Sequence, residues 1–258
     1  EAQGVAFKDE IMGRLIRFVS AHEVGHTLGL PHNMGSSVAY PVDSLRSATF
    51  TQKYGTAPSI MDYARFNYIA QPGDEGVALM PNVGPYDKYS INWGYRPILE
   101  KSAVDEKEIL NQWILDKADN PIYRFGRQQR PVIDPSSQTE DLGDDAVKAS
   151  NYGIANLKRI APSLIEWTYE DGKNYNDLET LYDQIFSQFN RYMGHVVSNI
   201  GGIYQHNKTY EQKGAVFTHV DRKRQLNSMN FLHKQLFETP YWMLNNEIIN
   251  KIKAAGTV

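Results

Sequence analysis

The chain has 258 residues, of which 41% are hydrophobic and 22% are charged, so it can bury a core as one large domain or two small ones. A formal net charge of −3 gives no electrostatic reason to expect a nucleic acid or an anionic membrane as partner. The sequence contains no cysteine, which excludes disulfide scaffolds and thiolate metal sites, and no apolar run is long enough to span a bilayer.

The first predicted element is a helix over residues 9–29, with Asp9 as its cap. Apolar and histidine side chains recur along it at three- and four-residue spacing, at Leu15, Val19, His22 and His26. Large apolar side chains on its other faces are Phe18, Val24 and Leu28. We therefore expect this helix to be mostly buried.

The end of this helix carries the pattern HExxHxxGxxH, from His22 to His32. Two histidines four residues apart project from one face of a helix, where their imidazoles can bind one Zn²⁺ at roughly 2.0–2.1 Å. Gly29 can adopt the left-handed conformation that ends a helix, and Pro31 prevents the helix from continuing. The reversal would bring His32 back as a third ligand.

Glu23 follows the first histidine and therefore points in a different direction. It can hold a water in the open fourth position of the metal and take its proton. The alternative is an ordinary polar helix face on a helical scaffold, with incidental histidines. The full pattern favours a zinc site because it also fixes a glycine that is unfavourable inside a helix.

This segment resembles the zinc signature of the metzincin metallopeptidases. The resemblance implies Zn²⁺ as cofactor, His22, His26 and His32 as its ligands, and Glu23 as the general base. The implied activity is zinc-dependent peptide-bond hydrolysis, with a peptide or protein as substrate. A non-catalytic binding module on a zincin scaffold is the alternative function.

The metzincin clan also has a methionine turn beneath the zinc, and the run from Ser59 to Tyr63 resembles it. The resemblance makes Met61 the turn methionine and Tyr63 a residue that can bind zinc and stabilise the oxyanion. The alternatives are a core methionine and a tyrosine that packs under the turn. Asn33 departs from the best-known branches, and the run DYARFN at 62–67 is most similar to bacterial met-zincin proteins.

A metzincin catalytic domain normally places a twisted sheet and a backing helix before the zinc helix, whereas only 21 residues precede His22. We therefore expect the chain to be part of a larger protein that contains the sheet. The first residues lack the features of a signal peptide, so this chain shows no targeting signal. We expect the full-length protein to be exported, to the periplasm, the cell surface or the extracellular space.

Residues 33–58 should connect the third histidine to the methionine turn, with a short helix at 44–54. Apolar side chains in this connection could line a substrate pocket or form a small cluster of their own, and they are Val38, Tyr40, Leu45 and Phe50. A helix at 85–95, closed by Gly94, should end the catalytic half. We therefore predict a zincin-like active-site subdomain at 1–97.

Residues 98–258 should form a mostly helical second domain. We predict helix at 105–111, a short strand at 122–125, and an acidic loop at 131–145 that binds calcium or, as we favour, caps a helix through Asp144 or Asp145. Histidines 195, 206, 219 and 233 lack metal-ligand spacing and should have packing or surface roles.

Helical patterns follow from Asp145 onward, with Pro162 kinking or splitting the first of them. Predicted caps for the later helices are Asn176 with Glu179, Asp221, and Thr239 before Pro240. Residues 203–205 and 215–219 could form a short hairpin. The predicted fold class is mainly α, or α+β overall: the active-site subdomain without its upstream sheet, then a helical domain with a short β-hairpin. The sequence does not indicate an oligomeric state.

Overall fold

A computed structural model describes residues 4–64, 66–99 and 101–252, so that Arg65 of the 62–67 run lies outside the described residues. The helices of the N-terminal part are α1 (Asp9–Thr27), α2 (Ala48–Tyr54), α3 (Pro85–Tyr95) and α4 (Glu106–Leu115). Those that follow are α5 (Ala146–Ile160), α6 (Leu164–Thr168), α7 (Asn176–Val197), α8 (Arg222–Leu232) and α9 (Asn246–Ile252). The described part of the chain contains no helix that is both long and apolar enough to cross a membrane.

The strands found within these ranges are β1 (Ile203–Gln205) and β2 (Phe217–His219), which pair antiparallel with Ile203 opposite His219. The prediction of a mainly helical fold with one short hairpin is confirmed. The strand predicted at 122–125 is wrong, because Pro121–Tyr123 is a 3₁₀ turn. The side chain of Asn120 accepts a hydrogen bond from the backbone N–H of Ile122 and so starts a turn instead of a strand.

Helix boundaries follow the predictions more closely than helix caps do. Pro162 ends α5 through a 3₁₀ turn, and Asp221 caps α8 by accepting from the backbone N–H of Arg224. The caps predicted at Asn176 and Thr239 are wrong. Tyr175 precedes α7 without a side-chain cap, and Asn245 instead accepts from the first backbone N–H groups of α9.

The helix prediction at 85–95 is correct in its bounds, but Gly94 lies inside α3 and does not close it. Asp9 is the first residue of α1 and not its cap. In both cases the hydrophobic pattern located the helix, while its end depended on backbone geometry that a residue type alone does not determine.

Two apolar clusters stabilise the fold. The larger one joins α5 to α9 and includes Ile154, Leu157, Leu178, Tyr182, Phe189, Tyr192, Val196, Leu232 and Ile248. The smaller one combines Tyr40, Val42, Leu45, Ala57, Ala64, Ile69, Leu142 and Ala149, with Phe50 packed against it. Tyr40, Leu45 and Phe50 therefore belong to an apolar cluster, whereas Val38 lines a cavity together with Gly35 and Leu142. The division of the chain at residue 97 stays a prediction.

The acidic loop acts in capping and ion pairing. Asp145 accepts from the backbone N–H of Lys148 and caps α5, while Asp144 accepts from Val42 N–H at 3.0 Å. Asp134 forms an ion pair with Arg124 at 2.8 Å. Over the described ranges, no three carboxylates of this loop approach each other closely enough to share a cation. The capping interpretation is thus the one that the contacts support.

The expectation that α1 is mostly buried is wrong. Its buried residues are Ile11, His22 and Gly25, whereas Ile16 and Val24 are 58% and 54% exposed. His22 and Gly25 face the 59–63 turn, where they meet Ile60 and Met61. The burial of α1 is therefore concentrated where its histidines lie.

Candidate metal centre

The chain reverses direction immediately after α1. Gly29 has a φ of 83°, a conformation that glycine adopts without steric cost. Its N–H donates to the carbonyl of His26 at 2.9 Å, and Leu30 N–H donates to the carbonyl of Gly25 at 3.0 Å. These bonds satisfy carbonyls at the helix end and turn the chain back along the helix face.

This reversal brings the three histidines of the motif together. One nitrogen from each of His22, His26 and His32 lies within 4.8 Å of the others, and they are the one metal-binding group of three or more found among the described residues. The Nε2 atoms of His26 and His32 are 3.1 Å apart. His22 is buried, at 3% exposure, and the other two are half-buried.

The Nδ1 atom of each imidazole faces a hydrogen-bond acceptor. Nδ1–H of His22 donates to the carbonyl of Ile60 at 2.8 Å, and Nδ1–H of His26 donates to the carbonyl of Leu30 at 2.8 Å. Nδ1 of His32 lies 3.2 Å from Oε1 of Gln128. A backbone carbonyl can only accept, so the contacts of His22 and His26 place the proton on Nδ1 and make Nε2 the nitrogen that can face a metal.

The surroundings of the Nε2 atom of His22 test whether this site fits a metal ion. It is fully buried and has no hydrogen-bond partner within the described part of the chain. A buried polar atom without a partner is costly, and coordination to a cation would remove that cost. Burial lowers the pKa of His22, against an opposing effect of the bond to Ile60, and so favours the neutral form that metal binding requires. The donor set fits Zn²⁺.

Met61 lies fully buried directly beneath α1. Its carbonyl accepts from the backbone N–H of Asn33, the residue after the third histidine, at 3.0 Å. The loop that contains His32 is therefore hydrogen-bonded to the 59–63 turn through backbone atoms.

The carboxylate of Asp87, near the start of α3, holds the turn from the other side. It accepts from Ser59 Oγ at 2.6 Å, from Ile60 N–H at 2.8 Å and from Gly84 N–H at 2.7 Å. Burial raises its pKa, while these three donors oppose that effect. Asp87 was not predicted from the sequence. Gly84 precedes a helix that begins with a proline, and an acidic residue three positions after such a residue is a capping signal.

Tyr63 and Glu23, the two predicted catalytic residues, lie in different environments. The ring of Tyr63 is half-buried, stacked 5.1 Å from the His22 ring and 4.6 Å from the His32 ring. Glu23 is exposed on α1 and adjoins His22 in the sequence. The turn thus brings an aromatic hydroxyl-bearing side chain to the histidine cluster.

Asn33, the residue that follows the third histidine, has a structural task. It is fully buried; its Nδ2 donates to the carbonyl of Arg124 at 2.9 Å, and its Oδ1 accepts from Gly126 N–H at 2.8 Å. An acidic residue would not supply the donor. Asn33 therefore connects the third histidine to the segment 124–129. The sequence alone did not predict that this segment lies beside the histidines.

A pair of buried carboxyl groups supports the loop behind Tyr63. Asp62 accepts from Ser37 N–H at 2.7 Å, and the hydroxyl of Ser37 donates to Asp141 at 3.4 Å. Burial raises the pKa of Asp62 to about 7. Burial, followed by the charge of Asp62, raises the pKa of Asp141 well above its usual value. The pair links the loop after the third histidine to the acidic loop at 131–145.

Comparison with known proteins adds one finding. A protein-family model described as Met-zincin matches residues 4–258, nearly the whole chain. No curated protein and no solved structure matches the chain.

Proposed function

The chain belongs to the Met-zincin family, and from this premise we propose that it is a zinc-dependent metallopeptidase of the metzincin type. The observation that carries the proposal is the convergence of one nitrogen each from His22, His26 and His32, with the Nε2 of His22 buried and unpartnered. The substrate would be a peptide or a protein.

His22, His26 and His32 would hold the zinc ion through their Nε2 atoms. Bound zinc supplies Lewis acidity, which lowers the pKa of water toward about 7 and polarises a carbonyl. The carbonyls of Ile60 and Leu30 keep the proton on Nδ1 of His22 and His26, so that the lone pairs on the other nitrogens stay available. The chain itself thus prepares the ligands before metal arrives.

The remaining residues would manage protons and charge. Glu23 takes the proton of the attacking water and passes it to the leaving amine. Tyr63 donates a hydrogen bond to the oxyanion of the tetrahedral intermediate, a role supported by its ring position beside His22 and His32. Met61 forms the floor under the histidines and takes no part in the chemistry.

The second candidate function is a non-catalytic binding module on the same scaffold. The sequence retains Glu23, which a binding module does not need. The exposed side of α1 favours the alternative for this chain alone, since a peptidase needs a strand to align its substrate. We therefore propose that peptide hydrolysis requires a substrate-aligning strand in addition to the described residues, and that the protein is bacterial and exported.

Metal analysis tests the metal centre. The purified chain should contain about one zinc per molecule, and His26→Ala should lose it. His233→Ala is the matched control, because His233 is exposed and lies outside the motif. Retention of stoichiometric zinc by His26→Ala, or absence of zinc-binding capacity in the wild-type chain, would overturn the assignment.

A peptide-library digest tests catalysis. In the full-length protein, Glu23→Ala should keep its zinc and lose activity by about 10²–10⁴-fold, the usual contribution of a general base. Glu10→Ala removes an exposed carboxylate from the same helix and should leave activity unchanged. Wild-type turnover in zinc-loaded Glu23→Ala would refute the base assignment, and no turnover in the zinc-loaded wild type would favour the binding module.

A further inference from the structure

The contact between His32 and Gln128 joins residues that are 96 positions apart, at 3.2 Å. We propose that Gln128 is a positioning residue for the third metal ligand: its side-chain oxygen holds His32 in the Nδ1–H tautomer that presents Nε2 to the metal. The inference rests on the proposed zinc site. It makes a segment far outside the histidine motif part of the metal centre.

The three histidines differ in the group that faces their Nδ1 atom. His22 and His26 donate to the backbone carbonyls of Ile60 and Leu30, and a backbone carbonyl has only one role, that of acceptor. His32 instead faces a side-chain amide, which can accept through oxygen or donate through nitrogen. Only the oxygen-facing orientation is compatible with a free lone pair on Nε2, so the orientation of Gln128 determines whether His32 can act as a ligand.

The residues on both sides of Gln128 are held in place, Gly126 through its backbone and Gln129 through its side chain. Gly126 donates to Asn33 Oδ1 at 2.8 Å, and its carbonyl accepts from Gly35 N–H at 3.2 Å. The two glycine backbones are so close that a Cβ on Gly35 would lie 2.9 Å from the Cα of Gly126. On the other side, Gln129 accepts from the backbone N–H of Ile133 and Asp134.

These anchors have a consequence for the half-buried side chain of Gln128. Gly126, two residues before it, is hydrogen-bonded to the loop that carries His32, so little conformational entropy is lost when the amide meets the imidazole. The segment 124–129 and the loop after the third histidine thus form one hydrogen-bonded unit. Loss of a group that orients a metal ligand typically weakens metal binding by about 10–100-fold.

Zinc affinity provides the first test. The dissociation constant of the purified chain for zinc is measured by competition with a chromogenic chelator. Gln128→Leu should bind zinc about 10–100-fold more weakly, whereas Gln128→Glu, which keeps an acceptor oxygen, should bind at least as tightly as the wild type. Gln112→Leu is the matched control, because Gln112 is exposed on α4 and its side chain donates a hydrogen bond to Asp116.

Nitrogen NMR of the metal-free protein provides a second test that does not depend on zinc. The ¹⁵N shifts of the His32 ring should report the Nδ1–H tautomer in the wild type and in Gln128→Glu. In Gln128→Leu they should move toward the Nε2–H form. An unchanged tautomer in Gln128→Leu, or a zinc affinity within about twofold of the wild type, would overturn the inference.

The two proposals fail in different ways. If the wild-type chain binds no zinc, the proposed function fails, while the tautomer measurement still decides whether Gln128 orients His32. If the wild type binds zinc and Gln128→Leu behaves like Gln112→Leu, the proposed function stands and the role of Gln128 is refuted.

Discussion

The sulfur of Met61 occupies the space that a side chain at position 25 would need, since a Cβ on Gly25 would lie 2.3 Å from Met61 Sδ. Gly25 lies between the two histidines of α1, one residue before His26. Its missing side chain lets the helix approach the 59–63 turn closely enough for His22 to reach the carbonyl of Ile60. The position of His22 relative to the 59–63 turn thus depends on the close contact between Gly25 and Met61.

The first prediction is that Gly25→Ala destabilises the chain by about 1–3 kcal/mol, the usual effect of overpacking a buried contact. Gly13→Ala in the same helix is the control. A Cβ there meets nothing within 4 Å, so this change should stabilise the chain by roughly 0.5–1 kcal/mol. Urea unfolding followed by circular dichroism measures both. A Gly25→Ala variant as stable as Gly13→Ala would show that Met61 moves aside freely.

The second prediction concerns Asp87, whose carboxylate accepts three hydrogen bonds in and around the turn. Asp87→Ala should lower the free energy of unfolding by about 3 kcal/mol or more, because it leaves buried donors unpaired. Zinc affinity should fall with it, since the turn supplies the carbonyl that orients His22. Asp116→Ala, at an exposed site, should change stability by no more than about 0.5 kcal/mol. Equal stability of the two variants would contradict the prediction.

The histidine cluster was predictable because its information is local. Helix periodicity, a glycine at the reversal and eleven consecutive residues determine where His22, His26 and His32 lie, and α3 was predictable for the same reason. The contacts of Asp87 with Ile60, of Asn33 with Arg124 and of Gln128 with His32 were not predictable, because they join residues that are 27 to 96 positions apart. No periodicity encodes such contacts.

The mistaken expectations have a physical reason too. The apolar side chains of α1 predicted burial, but a hydrophobic pattern reports what a face can pack against and not which residues are there to cover it. Similarly, the apolar run at 122–125 resembled a strand, while Asn120 and Pro121 start a turn that overrides the weak strand preference.

The third prediction uses His195, which lies buried in α7. Its Nε2 is 2.9 Å from the carbonyl of Thr139, and its Nδ1 has no partner among the described residues, so protonation would add a buried donor without an acceptor. Burial, and secondarily the charge of Arg191, lowers the pKa of His195 to about 4. The unfolded chain therefore binds one more proton than the folded chain between about pH 6.5 and pH 4.

Stability should accordingly fall as the pH is lowered through that window, with a contribution from His195 on the order of 3 kcal/mol. The raised pKa values of Asp62 and Asp141 act in the opposite direction, since stability is lost as pH rises through them. His195→Gln isolates the histidine: its unfolding free energy should depend less on pH between 7 and about 4.5 than that of the wild type. His233→Gln, at an exposed site, should keep the wild-type dependence. Identical pH profiles for His195→Gln and the wild type would refute the assignment.

The last prediction concerns Tyr63, whose ring centroid lies 5.1 Å from that of His22 and 4.6 Å from that of His32. If its hydroxyl donates to the oxyanion, Tyr63→Phe should lower kcat by about 10²–10³-fold with little change in KM, because the lost bond forms only in the transition state. If Tyr63 only packs under the turn, Phe should be tolerated, since the ring stays and only the hydroxyl goes. The assay uses the zinc-loaded full-length protein, with zinc content measured on each variant and Tyr241→Phe, at a 77% exposed site, as control. A kcat equal to that of Tyr241→Phe would end the proposed role, whereas a loss confined to KM would assign Tyr63 to substrate binding.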